Sequence, residues 1–138
     1  MFYQGDITQL IPQRDPMVMV DSLIDYSDKH VVSSFLIKES NLFLQGNILV
    51  EGGLIEHMAQ SVAMHTGYFY FLQSLPSPVG YIGTIQNLEI YSLPQLGDSL
   101  VSSVSILEEF MGVTLVEISV KVDNLIVAKG KMKTVIAK

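Results

Sequence analysis

Glu56, His57, Gln60, Ser61 and His65 are the polar interruptions in an apolar stretch, EGGLIEHMAQSVAMHTGYFYFLQS, that fills residues 51–74. A carboxyl and an imidazole are side chains that readily deliver and remove protons, so Glu56 is the candidate general acid and His57 the candidate base. Each also has a plain structural reading. An acid in the first turns of a helix complements the helix dipole, and a histidine on an apolar face is commonly a hydrogen-bonded core residue. As neighbours in sequence the two side chains leave a helix about 100° apart, which suits adjoining walls better than one pocket. Gln60 lies one turn beyond Glu56 on the same face, placed either to orient the carboxyl or to make a simple buried hydrogen bond. Gly52 and Gly53 precede the pair. Their backbone N–H groups, free at a buried helix N-terminus, can hold a carbonyl oxygen that gains charge, or the glycines merely permit the turn into the helix. His30, His57 and His65 are too scattered for a metal site, and cysteine is absent, which excludes thiolate sites and a thiol nucleophile.

These residues sit on the only long helical pattern in the chain. Leu54, Ile55, Met58, Ala59, Val62, Ala63 and Phe69 recur at three-four spacing. The segment is apolar or small nearly all round, the pattern of a helix buried on most sides, and a carboxylate on such a helix calls for a partner or a use. The polar interruptions leave it far short of the roughly 18 uncharged apolar residues that a bilayer demands, so no membrane span is expected. Ala59, Ala63 and Gly67, at i, i+4 and i+8, would let a neighbouring backbone come close along one side, as a helix laid against a curved sheet requires.

Composition sets the outer limits. The 138 residues suffice for one core, so residues 1–138 are expected to form a single domain. Charged residues make up 16% against a usual quarter, and apolar ones 49%, so part of the surface is expected to be covered in an oligomer, at least a dimer. A net charge of -6 with no run of Lys or Arg argues against a nucleic-acid surface. The opening MFYQGDITQLIPQRD has no basic segment followed by an apolar core, so no signal peptide is expected and the chain is read as cytoplasmic.

In chain order, Asp6 to Leu10 makes one helical turn with Asp6 as N-cap before Pro12. Met17 to Tyr26 and His30 to Lys38 read as two neighbouring strands joined by Ser27-Asp28-Lys29. Glu39 to Gly46 leads to the helix, with a turn at Gly46-Asn47, and Pro76 and Pro78 end it. Val79 to Leu93 reads as a long bent strand, followed by Asp98 to Phe110 and Val113 to Asp123, where Val116, Ile118, Val120 and Val122 alternate with polar residues. Asp123-Asn124 fits a tight hairpin turn. Beyond it Ile126, Ala128, Gly130 and Met132 share the inward face, small where the sheet should meet the helix, and Lys129, Lys131 and Lys133 share the outer one. Two strands, a buried helix and a meander of strands make an α+β protein whose sheet wraps the helix.

Three stretches in order resemble the 3-hydroxyacyl-ACP dehydratases. Ile11-Pro12-Gln13-Arg14-Asp15-Pro16 running to Asp21 is similar to their Leu-Pro-His-Arg-x-Pro opening, Gly97-Asp98-x-Leu100 to their Pro-Gly-Asp-x-Leu turn, and Glu56-His57-Met58-Ala59-Gln60 to the helix signature that carries the catalytic acid. Ile55 to Gln60 looks closest to the divergent branch of aryl-polyene and flexirubin-like pathways. The resemblance implies the hotdog fold, one long central helix wrapped by a curved antiparallel sheet, and a dimer acting on an acyl thioester carried by acyl carrier protein or CoA, with no metal or other cofactor. It places the acid at Glu56, the thioester carbonyl at the Gly52-Gly53 amides, and the acyl chain along Met58 and Val62. The family's base is a His in Gly-His-Phe-Pro; here Gly46-Asn47-Ile48 puts Asn47 in that place, and the loop that follows is about five residues shorter. Each family site takes His from one chain and the acid from the other, so the resemblance leaves three readings: a dehydratase, either a homodimer or a heterodimer; a subunit silent alone and active with a His-bearing paralogue; or a hotdog thioesterase, to whose Asn and His-Gly-Gly loop Asn47 and Glu51-Gly52-Gly53 are loosely similar.

Overall fold

The three-four spacing of the central stretch forms the helix it predicts, and its hydrophobic surface is covered by strands from both sides of it in sequence. The computed structural model describes residues 2, 3 and 5–137; Met1, Gln4 and Lys138 lie outside the described residues, as do those ends of the expected 1–138 domain. The elements are β1 (Ser22–Ser27), β2 (His30–Leu36), β3 (Leu44–Gln45), β4 (Ile48–Leu49), α1 (Glu51–Leu72), β5 (Gly80–Ile90), β6 (Ser99–Phe110), β7 (Val113–Val122) and β8 (Leu125–Ile136). Six strands form one antiparallel sheet in the order β1-β2-β6-β7-β8-β5, and β3 and β4 make a small hairpin before the helix. A 3-10 turn, Ile7–Gln9, is capped by Asp6, whose side chain accepts from the Thr8 amide.

Period-two patterning decides what the sheet turns toward α1. Val31 and Phe35 of β2, Leu100, Val104 and Ile106 of β6, and Val116, Ile118 and Val120 of β7 are buried. They meet Leu54, Met58, Val62 and Met64 of the helix, which packs on β2, β6 and β7. Each such side chain, fully buried, stabilises the fold by about 1.5–3 kcal/mol. One helix held in an antiparallel sheet of six strands is the hotdog fold expected from the resemblance. Asp123 and Asn124 take φ of 51° and 66° in the β7–β8 turn, as their residue types anticipate.

Four expectations are corrected. The apolar run beginning at Met17 is not strand until Ser22: the Met19 N–H and C=O are taken by side chains of α1 rather than by a neighbouring strand. Ile126 is 45% exposed and Val127 is buried in its place, because a register shift opposite Val120 and Lys121 displaces the alternation by one residue. The small residue at Gly130 makes room for β5, not for the helix; an added Cβ would come within 3.2 Å of Leu88 Cα. Along α1, the backbone that comes close is that of Leu10, whose carbonyl oxygen occupies the place of a Gly67 Cβ. Ala59 and Ala63 instead line a small cavity, about 60 Å³, with Val62, Thr66, Pro12 and Tyr81.

The far edge of the sheet is open. Every residue of β5 from Gly80 to Asn87 is exposed, including Tyr81, Ile82 and Ile85, and β5 pairs on one side only, with β8.

Candidate active site

Val50 starts α1 in an extended conformation with no side-chain cap, so the first amides of the helix must find partners elsewhere. The Gly53 and Leu54 N–H groups return to the Val50 carbonyl, at 3.0 and 3.2 Å. The Gly52 N–H makes no bond to the backbone among the described residues. The two glycines also differ in their surroundings. A Cβ on Gly53 would lie 2.5 Å from Phe43 Cβ, so Gly53 is small in order to pack; nothing approaches a Cβ on Gly52 within 4 Å. Of the expected pair, Gly52 alone keeps an amide without a backbone partner among the described residues.

Glu56 is half-buried on the second turn of α1. Gln60 Nε2 donates to Glu56 Oε2 at 2.7 Å, the i,i+4 relation read from the sequence. The rest of the Gln60 amide is equally committed: Oε1 accepts from the Met19 N–H at 2.6 Å and Nε2 donates to the Met17 carbonyl at 2.7 Å. Those partners forbid a flipped amide, because a backbone N–H only donates and a carbonyl only accepts. An amide nitrogen can only donate, so Oε2 is the acceptor whether or not Glu56 carries a proton, and since the carbonyl oxygen of a carboxyl is the better acceptor, this bond favours a proton on Oε1.

His57 leaves the helix on another wall and is fully buried. Nδ1 lies 2.7 Å from the Met19 carbonyl and Nε2 2.6 Å from Ser102 Oγ. A carbonyl cannot donate, so Nδ1 holds the proton and Nε2 accepts from the Ser102 hydroxyl. Burial pushes the imidazole down to about 4 from its ordinary 6.5, against the opposing Met19 hydrogen bond. With both nitrogens engaged and no surface exposed, His57 reaches no reacting atom in this arrangement. The other two imidazoles each have one ring nitrogen bonded. His65 Nε2 donates to the Ser27 carbonyl at 2.8 Å, its ring stacked on Tyr26, and burial lowers its pKa. His30 Nε2 pairs with Ser103 Oγ at 3.0 Å at the start of β2.

Asn47 sits in the exposed turn between β3 and β4, beside Gly46 with φ of 62°. Its carbonyl accepts from the Leu96 N–H at 2.8 Å, and Leu49 bonds to Pro94, which ties this hairpin to the turn ahead of β6. Met58 is fully buried in the core and lines no described cavity, while Val62 lines the small one beside β5. No group of three or more His, Cys, Asp or Glu able to hold a metal occurs among the described residues, and no described helix is long and apolar enough to cross a membrane.

Two participants went unread in the sequence: the Met19 backbone and Ser102. Ser102 carried a signal, a hydroxyl in the inward series Leu100, Ser102, Val104, Ile106 of β6. Ser33 carried the same one on β2, and its hydroxyl lies 2.6 Å from Ser61 Oγ, which donates to the His57 carbonyl.

Residues 5–137 match the family model described as ApeP-like, ApeP dehydratase. The chain is 26% identical over 144 residues to the 3-hydroxyacyl-[acyl-carrier-protein] dehydratase FabZ of Ruminiclostridium cellulolyticum, covering 100% of this chain and 99% of that protein. It is 29% identical to FabZ of Thermotoga neapolitana, covering 91% of each. Among solved structures, the dehydratase heterocomplex ApeI:P from Xenorhabdus doucetiae superposes with a TM-score of 0.91 at 18% identity, over 99% of this chain and 93% of that one. A hypothetical thioesterase with coenzyme A from Streptococcus pneumoniae superposes with a TM-score of 0.66 at 14% identity, over 84% and 87%. These two likenesses are of fold.

Proposed function

The chain belongs to the ApeP-like dehydratase family, and we propose from this that it is the acid-bearing subunit of a 3-hydroxyacyl-thioester dehydratase whose base comes from a second, histidine-bearing hotdog chain. One observation carries this reading. The chain holds a carboxyl with one oxygen free and offers no imidazole beside it to match, since both nitrogens of His57 are engaged, His65 lies nine residues farther along α1, roughly 13 Å at 1.5 Å per residue, His30 is bonded to Ser103 on β6, and Asn47 stands in the family's histidine place.

The reaction divides between the two chains. The partner's histidine takes the α-proton of the substrate, and the electron pair moves onto the thioester carbonyl, where the Gly52 N–H at the positive end of α1 supports the charge. Glu56, protonated on Oε1, gives that proton to the departing 3-hydroxyl; the C–O bond breaks, water leaves and the enoyl thioester remains. The bare edge of β5 and the half-open Ala59-Ala63 face of α1 fit a chain made to be covered by another. The Xenorhabdus doucetiae relative is a dehydratase heterocomplex, which supports the same arrangement.

The test is enoyl formation from a 3-hydroxyacyl carrier protein by this chain alone, by a histidine-bearing paralogue alone, and by both together. Activity is expected from the pair, and Glu56→Gln in this chain lowers it by about 10²- to 10⁴-fold. Robust dehydration by this chain alone refutes the division of labour. The thioesterase reading places its base near Gln60, whose amide is fully engaged; thiol release from acyl-CoA is therefore expected to be absent.

A further inference from the structure

Five residues from three parts of the chain are joined by four hydrogen bonds that meet at the backbone of Met19. The Ser102 hydroxyl donates to His57 Nε2 at 2.6 Å, Nδ1–H donates to the Met19 carbonyl at 2.7 Å, the Met19 N–H donates to Gln60 Oε1 at 2.6 Å, and Gln60 Nε2 donates to Glu56 Oε2 at 2.7 Å. The Met19 N–H and C=O belong to successive peptide units, so the two pairs of bonds are linked mechanically through the Met19 backbone. His57 and Gln60, three residues apart on α1, grip the same peptide segment from its two sides, and the second hydrogen of the Gln60 amide holds Met17. Packing alone does not call for this. Apolar side chains at 57 and 102 would fill the space as Val104 and Met58 do nearby, without the cost of taking polar groups out of water.

We propose that His57 is a positioning residue for Glu56: by holding the Met19 carbonyl it fixes the segment that orients the Gln60 amide, and thereby which carboxyl oxygen is left to carry the reacting proton. The inference rests on reading Glu56 as the acid of the dehydratase. The Met19 carbonyl sets the tautomer of His57, the Ser102 hydroxyl satisfies its Nε2, and the Ser33–Ser61 pair anchors the His57 backbone carbonyl.

The experiment uses the complex with the histidine-bearing chain and two variants that separate the ring nitrogens. Asn places an amide nitrogen where Nδ1 lies, so His57→Asn keeps the hold on Met19 and most of kcat. Gln reaches to the place of Nε2, so His57→Gln keeps the Ser102 contact, releases Met19 and lowers kcat about 10- to 100-fold with KM nearly unchanged. Nitrogen-15 NMR reports the same feature without turnover. The proton sits on Nδ1, and the Gln60 side-chain amide exchanges slowly in wild type and in His57→Asn but rapidly in His57→Gln. Equal kcat in the two variants, an imidazole protonated on Nε2, or a Gln60 amide as protected in His57→Gln as in wild type overturns the proposal. Full activity of Glu56→Gln overturns the assignment of the acid instead, and the Gln60 amide still decides whether His57 positions it.

Discussion

Acidifying the protein below about pH 6.5 will remove stability through one side chain. His57 is fully buried with a donor and an acceptor bond already in place, and burial brings it from 6.5 down to about 4. The folded value lies below the unfolded one, so the unfolded chain takes up the proton first and acid favours it. The stabilisation is whole above pH 6.5, falls as pH drops and is gone below about 4. From those two values the loss is about 2 kcal/mol at pH 5 and about 3 kcal/mol at pH 4, a large share of the 5–15 kcal/mol that typical folds possess. His65, also lowered by burial, adds to the loss with the same sign. Asp6, whose carboxylate is favoured by the Thr8 hydroxyl and amide, gives up its contribution only below the ordinary 3.8, outside this window. Urea unfolding in steps from about pH 7.5 to about 4.5 measures the effect in wild type and in His57→Asn. The wild-type free energy should fall about 1 kcal/mol per pH unit more steeply than the variant's between about pH 6 and 4.5. Parallel curves, or an imidazole titrating near 6.5 in the intact fold, would refute the reasoning.

Close approaches on α1 give two further tests. Gly67→Ala gains up to about 1 kcal/mol of helix propensity but drives a methyl into the Leu10 carbonyl, and overpacking of about 1–3 kcal/mol or more outweighs it, so the urea midpoint falls. The adjacent glycines at the helix start should respond in opposite directions: Gly53→Ala meets Phe43 and destabilises by about 1–3 kcal/mol, while Gly52→Ala meets nothing within 4 Å and stabilises slightly, both read as melting-temperature shifts.

Where one local rule governs a segment, the sequence alone is enough to read it. The Val116–Val120 alternation, the Asp123-Asn124 turn and the Asp6 cap depend on residues a few positions apart, and all take their expected form. Met17 to Val20 has the apolar content of a strand, but its backbone is captured by Gln60 and His57 from 41 and 38 residues away, a separation no window sees. The site divides in the same way. Glu56 and Gln60 meet because i and i+4 share a helix face. The partner of His57 lies 45 residues on, and only the register of β6 beneath α1 brings Ser102 there. Gly67 read as part of a small-residue stripe, yet the backbone it admits belongs to the N-terminal segment, which carries no periodic signal of its own.

The open flank of β5 bears on how much of this chain a cell can hold unaccompanied. Its 11 residues leave a row of backbone N–H and C=O groups beside exposed Tyr81, Ile82 and Ile85, and no lysine or proline lies within the strand to discourage pairing. Apart from the irregularities between Ile82 and Thr84 and between Gln86 and Glu89, such an edge can pair with an extended segment that reaches it, including the same edge of another copy. If the site is shared between two chains as proposed, copies made in excess of whatever covers β5 are the ones lost to precipitation or proteolysis, and matched synthesis of the two chains, rather than affinity alone, sets how much working complex accumulates.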